Sequence, residues 1–193
     1  MRNWLFHPLI FYPLVALAAA AVIALSIQPQ SWPRAPAPVA GVVQNGALVL
    51  EGAAFNSPEK DAGSTLHVDR DYWGHAQSLH IALKPGQAAP VATDTGVRIL
   101  LGPESAAFLA GRPATVEVTY RPQPVNTAAG LAVSLQGAGP AQWVTHAVQP
   151  QAGVLKFELP GGPGATAIGL RAMSSATDQA YGLEIVRIRA IPR

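Results

Sequence analysis

The densest run of chemically capable side chains is His67-Val68-Asp69-Arg70-Asp71-Tyr72-Trp73-Gly74-His75, with His80 shortly after it. If Leu66 and Val68 face a core, His67 and Asp69 share the opposite face of one strand, where imidazole and carboxylate could hold a metal such as zinc or polarise a hydroxyl. Without cysteines or a His-x-His pair that spacing is unspecific, so the pair reads as a solvated strand face and no metal or cofactor is expected. Asp69 and Asp71 would stand about 6.6 Å apart on an extended strand, near the lower limit for an inverting carboxylate pair. Nothing in the sequence raises the pKa of either, so these residue types suggest binding rather than catalysis. Tyr72 and Trp73 can offer flat apolar ring faces, and Trp143 is a third ring of that kind. The expected ligand-binding set is therefore Asp69, Asp71, Tyr72, Trp73, His75 and Trp143. Tyr72 and Trp73 are expected in an exposed turn, and Trp143 on a strand, packed in the core or at a sheet edge. Tyr120 and Tyr181 read as structural, while His146 and Arg171 are outward strand residues expected to be solvated.

Other chemistry is missing. The chain has no Gly-x-Ser-x-Gly elbow, no Walker loop and no His-Glu-x-x-His. Gly162-Pro163-Gly164-Ala165-Thr166-Ala167 matches a dinucleotide fingerprint only formally, because a strand rather than a helix follows it. No cysteine is present, which removes disulfides, thiolate metal sites and cysteine nucleophiles. A formal charge of +2 spread over 193 residues gives no basic stripe, so nucleic acid is not an expected partner.

The elements that must position these residues begin with a membrane segment. Leu9 to Ile27 carries no charge and would span roughly 28 Å as a helix, enough to cross a bilayer. Trp4, Phe6, Phe11 and Tyr12 on one side and Trp32 on the other are interfacial aromatics, and Arg2 before the segment puts the N-terminus inside. Ala18-Ala19-Ala20 and Ala24-Leu25-Ser26 would also suit a cleaved signal peptide, but the run exceeds the usual h-region and reads as an uncleaved anchor. The chain is thus expected to be a single-pass protein of the inner (cytoplasmic) membrane with an exported C-terminal part, either periplasmic or extracellular. Residues 28–40, with prolines at 29, 33, 36 and 38, suggest a stiff polyproline II stalk of roughly 40 Å.

Residues 41–193 read as a β-domain of about ten short strands. The clearest strand is Ala114 to Arg121, where Ala114, Val116, Val118 and Tyr120 alternate with polar residues. Alternation also marks Leu79–Leu83, Leu131–Leu135 and Leu155–Leu159. Further strands are expected over Ala47–Glu51, Thr65–Asp69, Val97–Leu101, Trp143–Val148, Ala167–Met173 and Leu183–Ile191. In the last, Leu183 and Ile185 have one parity and Val186, Ile188 and Ala190 the other, which a bulge between Ile185 and Val186 would reconcile. Pro103–Ala110, followed by Gly111, is the one soluble helix expected. The expected core includes Val116, Val118, Tyr120, Leu131, Val133, Leu155, Phe157, Ile168, Leu170, Leu183 and Ile185.

Over roughly residues 76–193 this order of features resembles the galactose-binding-like jelly rolls, which include carbohydrate-binding modules found beside bacterial glycosidases. The resemblance rests on Leu109-Ala110-Gly111 leading into Ala114–Arg121, then Leu131–Leu135, Trp143, Leu155-Lys156-Phe157-Glu158-Leu159-Pro160 and Tyr181-Gly182-Leu183-Glu184-Ile185-Val186-Arg187-Ile188. Where many relatives have an acidic residue before the final apolar run, this chain has Val186, which supplies no family-type calcium contact. The resemblance implies an all-β, jelly-roll-like antiparallel sandwich, expected to follow the one N-terminal transmembrane helix read from the apolar run. Its functional expectation is a non-catalytic glycan-binding module of the cell envelope, and the alternative is an accessory subunit of a larger envelope membrane complex.

Overall fold

The structure, a computed structural model, describes residues 7–27 (Ile27 by its backbone only), 32, 34–86, 93–161, 164–174, 176 and 178–193. The chain divides into two compact units, Met1–Trp32 and Pro33–Arg193. Expectations for Arg2, Trp4, Phe6, residues 28–31 and 33, and the Gly162-Pro163 pair fall outside the described residues.

In the first unit, α1 (Pro8–Ile27) is uncharged along its length. Pro13 lies in its first turns, where the lost hydrogen bond is cheapest. Ser26, its polar residue near the C-terminus, returns its hydroxyl to the Val22 carbonyl at 2.8 Å, which a membrane environment requires of any buried donor. Pro8–Ser26 has a hydropathy of 2.4 and is long and apolar enough to cross a membrane, a property it shares with signal sequences.

The second unit is an antiparallel sandwich of twelve strands among the described residues. β1 (Val42–Gln44) and β2 (Ala47–Leu50) form a hairpin around Asn45-Gly46, whose φ values of 50° and 72° are those of the turn that matches strand twist. β4 (Ser64–Arg70) and β5 (Ala76–Leu83) form a second hairpin, while β3 (Glu59–Lys60) lies on the opposite sheet. The later strands are β6 (Val97–Leu100), β7 (Ala114–Pro122), β8 (Gly130–Gln136), β9 (Val144–Ala147), β10 (Gly153–Leu159), β11 (Ala167–Met173) and β12 (Tyr181–Pro192). One sheet contains seven strands, with β12 central. On one side β12 pairs with β7 and, beyond it, β10; on the other it pairs first with β5 and then with β2. The second sheet has the order β3-β6-β11-β8-β9.

β12 pairs with β5 over Tyr181–Ile185 and with β2 over Ile188–Ala190, and between those stretches its register against β7 shifts, at Ile185/Arg187. That bulge brings Leu183, Ile185, Ile188 and Ala190 all onto the core face. The core between the sheets is filled by Tyr120, Phe157, Leu131, Ile168 and Leu170, joined by Leu48, Leu50, Leu79, Ile81 and Phe55. Tyr120 is buried without penalty because its hydroxyl accepts the Gln149 amide at 3.0 Å. Leu155 is the exception in the expected core, and it is only partly buried. β10 pairs with β7 alone, so Leu155 lies at the periphery of the sandwich. The short α2 (Pro103–Leu109) has Pro103 in its first turn and buries Leu109.

Composition suggests a free stalk through Ala40, but residues 34–40 run extended against the domain. Ala37 donates to the Ser57 carbonyl, Val39 donates to Leu100, and Gly102 donates back to Val39. Strand alternation with partners far along the chain is invisible in a proline-rich composition, so the stalk reading is corrected for this stretch.

Candidate functional site

The expected site residues separate into three places. Asp71, Tyr72, Trp73 and His75 form the tip of the β4–β5 hairpin. Asp69 stands on the outer face of the seven-stranded sheet, and Trp143 lies on the other sheet.

The tip is built around one carboxylate. Asp71 Oδ1 accepts the backbone amides of Trp73 (2.9 Å) and His75 (2.8 Å), and its Oδ2 lies 3.1 Å from His75 Nδ1. The hydrogen bond from the His75 amide, the largest influence, holds the Asp71 carboxyl below its ordinary value of 3.8; desolvation opposes it, and the His75 imidazole and the Trp73 amide add to the lowering. The Asp71 backbone closes the loop by exchanging hydrogen bonds with His75 and Gly74. Asp71 and His75 are therefore occupied in shaping the turn, which is the role Asp commonly takes there. With the backbone so fixed, Tyr72 and Trp73 project outward at 72% and 76% exposure, edge to face with centroids 5.2 Å apart.

Support comes from below the tip, where Arg70 of the same run meets residues that local sequence did not mark. Arg70 donates to the Asn56 side chain (2.6 Å), the Asn56 carbonyl (2.8 Å) and the Gly74 carbonyl (3.1 Å). Arg34 reaches the same Gly74 carbonyl at 3.2 Å. Burial, and then the charge of Arg34, pushes the Arg70 guanidinium below its ordinary value. No pattern within the hairpin could reveal partners at positions 34 and 56.

Trp143 is corrected in one respect: it immediately precedes β9, the edge strand of the five-stranded sheet, instead of lying on it, and from there its ring reaches the outer face of that sheet. Its ring lies against Gly96, where an added Cβ would come within 3.0 Å of it. That face is buried. Ala132, Ser134, Gln136 and Arg171 all have little or no exposure, so the expectation that Arg171 is solvated is also corrected. Outward parity removes a side chain from the core, but loops over the sheet decide whether water reaches it. Arg171 is 2% exposed and pairs with Asp94 at 2.8 Å and Asp61 at 3.4 Å. Burial opposes ionisation of Asp61. The hydrogen bonds from the Ser64 side chain and the Gly96 amide, with the Arg171 charge, outweigh it and lower its pKa. Gln136 crosses β11 to the Thr95 carbonyl, and an added Cβ at Gly169 would fall 2.1 Å from the Gln136 amide. Among the described residues, Asp61 Oδ1, Arg98 Nε, Arg171 Nε and Trp143 Nε1 are buried without a hydrogen-bond partner. A cleft of about 320 Å³ opens beside them, lined by Asp94, Thr95, Arg98 and Gln136 among others.

No family model matches the chain, and no curated protein matches it. It is similar to several solved structures. One described as "BiXyn10A CBM1 APO" has 10% identity and a TM-score of 0.48 over 75% of this chain and 95% of that one. The N-terminal CBM22-1–CBM22-2 tandem of Paenibacillus barcinonensis Xyn10C has 18% identity and a TM-score of 0.46, covering 82% and 48%. Arthrobacter globiformis T6 isomalto-dextranase with panose has 14% identity and a TM-score of 0.42, covering 77% and 24%. The chain thus spans nearly all of the first, about half of the second and a quarter of the third.

Proposed function

We propose that the protein is a non-catalytic, membrane-tethered module of the cell envelope that binds glycan at the β4–β5 tip. The observation that carries this reading is the exposed Tyr72–Trp73 pair on a turn fixed by Asp71, because stacking on a pyranose needs a preorganised ring with an open face. α1 supports the tether, with the second unit exported. Trp73 or Tyr72 stacks on the sugar and Asp69 accepts hydroxyl hydrogen bonds; Asp71 has already spent one oxygen on the backbone.

A glycan array probed with the full chain in detergent micelles tests this. Trp73→Ala should weaken a genuine hit by about 2 kcal/mol, roughly thirtyfold, while Trp143→Ala leaves it unchanged. The opposite pattern moves the site to the face around Trp143, and no hit at all favours the second reading. That reading is an accessory subunit of an envelope complex. It is supported by β1, which pairs only with β2 among the described residues and exposes Val42 and Val43, an open apolar edge suited to strand addition. Protease treatment of cells whose outer envelope has been opened while the inner membrane stays sealed tests export, since a second unit still protected there would refute it.

A further inference from the structure

A separate cluster occupies the outer face of the seven-stranded sheet. Asp69 on β4, His80 on β5 and Glu184 on β12 come from three adjacent strands, and one ligand atom of each lies within 4.8 Å of the other two. Register produces the meeting: Glu184 is directly opposite His80, His80 is opposite His67, and Asp69 is the next outward position on β4. His80 Nε2 and Asp69 Oδ2 face each other at 3.8 Å, too far for a hydrogen bond. Around a tetrahedral ion with bonds of about 2.0–2.1 Å, neighbouring ligand atoms sit about 3.3–3.4 Å apart, so small side-chain rotations on this solvent-facing surface would close the gap. Arg121 holds Glu184 through Oε1 at 3.2 Å, which orients the carboxylate and leaves its second oxygen to offer.

We propose that Asp69, His80 and Glu184 form a binding site for a divalent transition cation, with zinc as the natural probe. Two carboxylates balance the ion's charge, and the imidazole nitrogen favours a borderline-soft metal over magnesium or calcium. His67, whose ring centroid is 6.2 Å from that of His80, is the available fourth ligand. Rigid strands supply all the ligands, so little ordering is needed on binding. A bound ion would fasten the β4–β5 hairpin to β12 and stiffen the strands that carry the tip. The site shares Asp69 with the glycan reading but needs neither Tyr72 nor Trp73, so zinc binding and glycan binding can fail separately.

The test is titration of the full chain in detergent micelles with zinc chloride, read by calorimetry and by the imidazole nitrogen resonances. Saturable binding is expected to shift His80 and His67 and to leave His75 and His146 unmoved. Affinity should fall by about tenfold or more in His80→Ala and Asp69→Asn and stay unchanged in His75→Ala, which removes the imidazole at the tip. Glu184→Gln should weaken binding similarly. Because it also disturbs Arg121, its metal-free melting temperature is measured alongside, and the exposed Asp69→Asn decides if Glu184→Gln does not fold. Equal affinity in wild type and His80→Ala, loss of binding in His75→Ala, or no saturable binding would overturn the site.

Discussion

The two sheets of the sandwich turn different kinds of face outward. On the seven-stranded sheet the cations stay in water while they pair with half-sheltered carboxylates: Arg121 pairs with Glu184, while Arg189 and Lys156 both pair with Glu117. On the five-stranded sheet one guanidinium, Arg171, is sealed between Asp61 and Asp94 beneath loops, and several polar atoms near it have no partner among the described residues. Both faces obey the same alternation in sequence. The difference shows that alternation identifies which side chains avoid the core, while exposure is decided by whatever the loops lay over the sheet.

Removing the buried cation should have the largest effect. Arg171→Ala leaves two carboxylates facing a void, and chemical denaturation of the full chain should show a loss of about 3 kcal/mol or more. A loss below about 1 kcal/mol, the value of an exposed pair, would erase the contrast between the faces. Gly169→Ala should follow at about 1–3 kcal/mol, because the new methyl collides with Gln136 and Ser134. Pairing this change with Gln136→Ala should recover part of the loss, and failure to recover it would refute the crossing role of Gln136.

Arg121→Ala on the open face should cost less than about 1 kcal/mol, since its side chain is 60% exposed. The smallest effect is local and depends on pH. Asp71 has a folded pKa below its ordinary 3.8, so its ordering of the tip is fully present above that value and is lost as pH falls through the lower, folded one. The amide resonances of Trp73 and His75 should move together in that acid range. In Asp71→Asn they should lose this titration, and a titration that persists would assign it to another group.

Much of the fold was legible because alternation is a local signal. Ala167–Met173 agrees with β11 at both ends, Ala114–Arg121 falls one residue short of β7, and the parity break at Ile185 marks the register shift in β12. β1 and β3 escaped notice, being too short to show a period, and Phe55 enters the core from a single 3₁₀ turn. At the candidate site, exposure of Tyr72 and Trp73 followed from a polar turn between two strands. The supports at Arg34 and Asn56 did not, because hydrogen bonds between distant segments leave no spacing to read.

The apolar N-terminal segment, the all-β class, the strand parities and the aromatic tip are all written in local patterns, since each depends on residues within a few positions of one another. Three features arise from the folded chain alone: Asp71 shapes the tip, Arg171 is buried, and Glu184 joins His80 and Asp69 on one face. The first follows from the backbone path of the turn. The other two follow from which strands become neighbours and which loops cover them, and strand order is fixed by burying all the inward rows together, a condition that no single row contains.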